Sequence, residues 1–125
     1  MQNQTVAIVG ASSDRTKFGN KSVRAHLAQG WTVYPVNPRG GEIEGLPVYR
    51  SVDDLPQPID RVSLYLPPDL GVQCLPAIAR LAPSEFFVNP GAESDELMRE
   101  SERLGLTPLL ACSIVDVGRR PSDFA

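Results

Sequence analysis

The residues of this chain best suited to chemistry on a ligand begin with Val-Gly-Ala-Ser-Ser-Asp-Arg-Thr-Lys-Phe-Gly at positions 9–19. Gly10 ends an apolar run, lets the backbone turn tightly and leaves no Cβ in the way of a ligand. Ala11 follows it, and Ser12 and Ser13 supply amide and hydroxyl donors. Arg15 and Lys17 are cations within reach. A helix starting just beyond adds its N-terminal amides and the positive end of its dipole. Together these groups suit a pyrophosphate. The G-x-G-x-x-G spacing is absent, because the next glycine after Gly10 is Gly19. On this loop alone, a plain strand-to-helix turn is an equally good reading.

A second group is Val36-Asn37-Pro38-Arg39. Proteins that bind NAD place an acid about 20 residues past the glycine turn to hold the ribose hydroxyls. Here that position carries neutral Asn37 beside the cation Arg39, which suits a ribose bearing a phosphate. NADP and coenzyme A both carry one. The competing reading is a turn built from good turn residues. Leu66-Pro67-Pro68, Asn89-Pro90-Gly91 and Ala111-Cys112-Ser113 are further punctuated segments of the same kind.

These segments need elements to hold them. Thr5–Val9 is short, β-branched and apolar throughout, the mark of a strand covered on both faces. Residues 19–29 turn helical, with Val23 and Leu27 on one face and Gly30 as the stop. Residues 31–36 form a second strand whose Pro35 points to a place near its end. Residues 39–49 are a glycine-rich loop with room for a small extended excursion, and Ser51 caps a helical turn to Leu55. Strands follow at 61–66, 85–88 and 107–111, and helices at 69–81, with Pro76 an internal irregularity, and at 94–104. The last helix has Ser94 as its cap, Asp95 and Glu96 in its first turn, and Leu97, Ser101 and Leu104 on one face. Five alternations of strand and helix predict an α/β, Rossmann-like, doubly wound fold. Its sheet is mainly parallel and five-stranded, with helices on both faces. Ligands of such sheets bind at the carboxyl ends of the strands, where the five punctuated segments fall.

With 125 residues, of which 42% are hydrophobic and 22% charged, one domain spanning 1–125 is expected, its polar tail at 118–125 loose. A net charge of −3 argues against nucleic acid. No apolar run is long enough for a bilayer, and the start of the chain shows no leader pattern, so a membrane is not expected. Cys74 and Cys112 are far apart and form no metal-spaced pair, which fits a reducing cytoplasm. The single histidine, His26, builds no metal site and no triad, and its place in a helix predicts an exposed side chain. Cys112, at a strand end facing the crevice, reads as a small half-buried residue ahead of a reactive thiol. Asp53-Asp54 reads as a solvated turn. Trp31, Phe86 and Phe87 are expected in the core, and Tyr65 near a strand end within reach of ligand.

The blocks VGASSDRTKFG, VYPVNP, LPP and NPGAE, in this order, resemble the small bacterial CoA-binding domain proteins. These are similar to the N-terminal domain of the succinyl-CoA synthetase α subunit. The resemblance runs from about Thr5 to Asp116. It implies that Gly10, Ala11, Ser12, Lys17, Val36, Asn37, Pro38, Leu66 and Pro67 contact coenzyme A or an acyl-CoA. Ser13, Arg15 and Arg39 join them on charge and donor chemistry. The family domain often closes on Asp-x-Cys with an acid a few residues on. Here Leu110 departs from the first position, while Cys112 and Asp116 fit. The expected function is binding of CoA without independent catalysis, for which no nucleophile, base and orienting group are assembled. Two alternatives stay open: an NADP-dependent oxidoreductase or redox sensor, and a regulatory or partner subunit with a vestigial crevice.

Overall fold

The structure is a computed structural model that describes residues 4–125. Met1, Gln2 and Asn3, part of the stretch read for a leader, lie outside the described residues. The elements in chain order are β1 (Thr5–Val9), α1 (Phe18–Ala28), β2 (Thr32–Val36), β3 (Glu42–Ile43), β4 (Leu46–Pro47), a 3-10 turn (Val52–Asp54), β5 (Arg61–Leu64), α2 (Pro68–Leu81), β6 (Glu85–Val88), α3 (Asp95–Arg103), β7 (Pro108–Leu110), α4 (Ser113–Asp116) and a second 3-10 turn (Pro121–Phe124).

Five strands form one sheet in the order β2-β1-β5-β6-β7, and every pairing is parallel. The first crossover runs to one side of β1 and the later ones to the other. The order therefore reverses between β1 and β5, which is the topological switch point. The side chains of β1 alternate between two covered faces. Val6 and Ile8 pack with Val23 of α1, while Ala7 and Val9 pack with Leu75 and Ile78 of α2 and Leu97 of α3. Burial on both faces explains why the strand reads as a continuous apolar run.

Pro35 has a simple place. β2 is an edge strand, and the chain beyond β4 lies along it, with the Tyr49 amide donating to the Pro35 carbonyl at 2.9 Å. A proline nitrogen is harmless where no neighbouring strand needs its proton. The small excursion is the two-stranded hairpin β3-β4. Ser51 Oγ accepts from the Asp53 amide, and Ser94 Oγ from the Leu97 amide, as helix caps do.

Two expectations are corrected on α1. Its buried residues are Gly19, Asn20, Ser22, Val23, Ala25 and His26, with Leu27 rotated to 38% exposure. His26, expected outside, is fully buried. Its Nδ1 lies 2.8 Å from the Ser22 carbonyl oxygen, and its ring meets Trp31 edge-on. Burial pushes the imidazole down to about 4. Beside it the Arg61 guanidinium is clamped between the rings of Trp31 and Phe87, and pairs with Glu85 and Asp116. Arg61 and Glu85 open their strands, so this cluster closes the amino end of the sheet, opposite the carboxyl ends.

The segment read as a loose tail is instead held. Arg24 Nη2 donates to the Phe124 carbonyl at 2.8 Å, and its guanidinium lies over the Phe124 ring. A polar composition hid an anchor made from one aromatic residue and one backbone oxygen.

Candidate functional site

Two connected clefts open at the switch point. The first, of about 340 Å³, is an apolar slot bounded by Val36, Pro38, Val52, Leu66, Leu70 and Ala77, with Arg50 and Arg80 at its rim. The second, of about 600 Å³, runs from the Gly10 turn past Lys17, Asn37 and Arg39, over Tyr65 to Pro67, to the Pro90-Gly91-Ala92 turn. Gly10 and Leu66 border both.

The Gly10 turn exists because two positions carry no side chain. Gly10 has φ +94°, a conformation that other residues adopt only with strain. A Cβ on Gly19 would lie 2.3 Å from the Gly10 carbonyl oxygen, so α1 reaches the turn only because residue 19 is glycine. Gly10 and Gly19 thus perform two of the duties of a G-x-G-x-x-G motif, the tight turn and the close helix packing, at a different spacing.

Side chains then lock the turn. The Gly10 and Ala11 amides both donate to the Val36 carbonyl at 3.2 Å. Asn37 Nδ2 donates to the Ala11 carbonyl at 2.9 Å, while its Oδ1 accepts from the Arg39 amide at 2.8 Å. Buried Asn20 donates to the Ser12 carbonyl at 2.9 Å and accepts from Arg24 Nε at 2.8 Å. Asn37, read as a neighbour of the ribose, joins the two loops through one donor and one acceptor and also lines the larger cleft. Asn20 and Arg24 are positioning residues that sequence reasoning missed, because on a helix they look like ordinary surface polar groups.

Donors remain for a ligand. Among the described residues, the amides of Ser12, Ser13, Phe18 and Gly19 make no hydrogen bond, and Lys17 and Arg39 make no ion pair. Lys17 is the N-cap of α1, so its ammonium and the first helical amides share one end of the helix. That combination of charge and free amides suits an anion.

Ten of the twelve sequence-predicted positions line these clefts: Gly10, Ala11, Ser12, Lys17, Val36, Asn37, Pro38, Arg39, Leu66 and Pro67. Ser13 and Arg15 do not. Ser13 is exposed beyond the turn, and Arg15 faces Glu44 of the hairpin at 3.4 Å. Arg50 and Arg80 were missed because they enter from elements remote from the strand ends. Arg50 packs over Gly40 and donates to the Pro38 carbonyl, while Arg80 pairs with Asp53. Cys112 lies outside both clefts as the N-cap of α4, whereas Cys74 lines the apolar slot, where burial pushes its thiol up. Tyr65 Oη lies 3.0 Å from Ser113 Oγ, which in turn is 2.7 Å from Ser63 Oγ. Burial raises the Tyr65 phenol, so it stays protonated as part of the crevice floor. Among the described residues, no three His, Cys, Asp or Glu side chains gather to hold a metal ion, and no helix is long and apolar enough to cross a membrane.

A parallel sheet with a glycine turn, a helix start and free cations at its switch point defines a nucleotide-binding domain. The chain belongs to the CoA-binding domain family, whose model, described as CoA binding domain, matches residues 4–119. It is 32% identical over 113 residues to an ADP-forming acetate–CoA ligase I of Archaeoglobus fulgidus, a match covering 82% of this chain and 16% of the ligase. It is 37% identical over 65 residues to the α subunit of the ADP-forming acetate–CoA ligase II of Pyrococcus furiosus, covering 50% of this chain and 14% of the subunit. The chain thus spans a small part of these curated relatives. Among solved structures, a conserved hypothetical protein of Pyrococcus furiosus superposes with a TM-score of 0.82 at 35% identity, covering 92% of this chain and 99% of the other. The apo form of a dinucleotide-forming acetyl-coenzyme A synthetase 1 from Ca. Korarchaeum cryptofilum superposes at 0.73 and 28% identity, covering 85% of this chain and 25% of that one.

Proposed function

We propose that this chain binds coenzyme A or an acyl-CoA in the crevice at the carboxyl ends of β1, β2 and β5, as a binding module without catalysis of its own. The observation that carries this reading is the junction at Gly10 and Leu66. There an apolar slot meets a cleft that keeps unpaired amides, Lys17 and Arg39. The apolar slot suits a flat base. The Ser12 and helix-start amides, with Lys17, suit a pyrophosphate. Arg39 and Arg50 stand where a ribose phosphate would need neutralising.

Binding alone is the role these residues support. The chain's one imidazole is sealed at the opposite end of the sheet, and the thiol that reaches the slot is held protonated by burial. The two curated relatives are a ligase and a ligase subunit several times the length of the match, so a further protein chain or domain is the natural place for chemistry on the thioester.

Calorimetric titration with CoA, dephospho-CoA and NADPH tests the proposal. CoA should bind, and loss of the 3′-phosphate should weaken it about tenfold or more, the usual worth of a charge-assisted hydrogen bond. No heat with CoA, on protein that mass spectrometry shows to carry no nucleotide, would overturn it. Binding of NADPH in preference to CoA would move the assignment to a nicotinamide cofactor.

A further inference from the structure

A third cleft, of about 190 Å³, lies beside the crevice at the carboxyl ends of β6 and β7. Val88, Pro90, Leu110 and Ala111 line it, with Glu93 at its edge. Pro90 also borders the larger cleft, so the two adjoin at that residue. Leu110 is 59% exposed, a large aliphatic side chain left facing solvent at the end of its strand. The one ionisable group, Glu93, accepts from the Gly91 amide at 2.8 Å. Its carboxylate therefore stays at the mouth of an otherwise apolar surface.

We infer that this cleft takes the acyl group of an acyl-CoA, and that it favours a short neutral aliphatic acyl over one ending in a carboxylate. The inference rests on the proposed CoA site. Its geometry is set by the sheet. From β1, where the phosphates would sit, to β6 is two interstrand steps, about 10 Å, and β7 lies about 5 Å farther. A pantetheine arm has about twelve bonds between phosphate oxygen and sulfur, equal to some four residues of chain, and reaches ~14 Å when extended. An arm laid across Tyr65 and Pro67 therefore brings its sulfur to the Pro90-Gly91 turn. Whatever the sulfur carries next lies against Val88 and Leu110. A terminal carboxylate there would meet Glu93, a like charge with no cation among the cleft's lining residues.

The test compares dissociation constants of CoA, butyryl-CoA and succinyl-CoA on the intact chain. Butyryl and succinyl have the same number of carbons and differ in ending on a methyl or a carboxylate. A buried methylene is worth about fourfold in affinity, and an open cleft that half covers three carbons gives roughly tenfold. Butyryl-CoA should therefore bind about tenfold tighter than CoA, and succinyl-CoA no tighter than CoA. In Leu110→Asp the ratio of CoA to butyryl-CoA constants should fall to about one. Equal binding of CoA and butyryl-CoA, or a preference for succinyl-CoA, would overturn the inference and leave the CoA site standing. Failure of CoA itself to bind would overturn both.

Discussion

Gly19→Ala separates close helix packing from the ordinary behaviour of a helical residue. Residue 19 is the second position of α1 and does not adopt a positive φ. By helix propensity alone, alanine there should stabilise by up to about 1 kcal/mol. The added methyl would instead stand 2.3 Å from the Gly10 carbonyl oxygen and 3.3 Å from Ala11 Cα. Both are backbone atoms, fixed by the bonds from Gly10 and Ala11 to Val36. Ordinary contact requires about 1 Å more, so the start of α1 must retreat from the turn. Overpacking of this kind costs about 1–3 kcal/mol, which leaves a net loss of up to about 2 kcal/mol after the propensity gain. The same retreat moves the Phe18 and Gly19 amides away from the Ser12 amide, and phosphates held between them lose at least one charge-assisted hydrogen bond. Urea denaturation should show the lower midpoint with an unchanged slope, and calorimetry a CoA affinity reduced tenfold or more. A midpoint at or above that of the parent chain would refute the close-packing argument. Unchanged CoA affinity in a destabilised variant would refute the assignment of these amides to phosphate.

Asn37→Asp keeps the acceptor for the Arg39 amide but loses the donor to the Ala11 carbonyl and adds a negative charge beside the phosphates. CoA binding should weaken at least tenfold, with a stability loss of about 1 kcal/mol, both read by titration and urea melts. His26 gives a pH signature. Its unfolded form takes up a proton near 6.5, its buried form only near 4, so its contribution is complete above 6.5 and is lost as pH falls to about 4. The full loss is about 3 kcal/mol. In His26→Gln the difference in stability between pH 7 and pH 4.5 should shrink by most of that amount, and an unchanged difference would show that the imidazole is not buried neutral.

The architecture was legible because its punctuation was strong. β1, β2 and β6 stop directly before Gly10, Asn37 and Asn89, β5 and β7 stop within two residues of the expected place, and Ser94 marks the start of α3 by a bond that it does make. The face of α1 was not legible, since its buried residues are only Val23 and Ala25 among the aliphatics, beside Gly19, Asn20, Ser22 and His26. Periodicity counts apolar residues, and this helix also buries a gap and three polar groups. The tail and α4 escaped for a related reason. What fixes them is Arg24 on the Phe124 carbonyl and Arg61 on Asp116, single contacts 100 and 55 residues apart. No local pattern encodes a partner at that distance.

The two ends of the sheet handle polar groups in opposite ways, and that contrast bears on the proposed site. At the amino end Arg61 is enclosed by two aromatic rings, two carboxylates and His26, so its charge is matched within the protein. Truncating either side of such a buried pair is costly, and the arrangement serves to hold α4 and the strand starts together. At the carboxyl end the same economy is followed for side-chain amides, since Asn37, Asn20 and Asn89 all donate to oxygens of the protein itself: backbone carbonyls, the Ser63 hydroxyl and the Glu44 carboxylate. The groups left free there are backbone amides at a glycine turn and two exposed cations. Such groups recognise a phosphate chain by its charge and shape. Selection among ligands that share that chain must then come from the apolar surfaces on either side, the slot beneath Leu66 and the cleft beside Leu110.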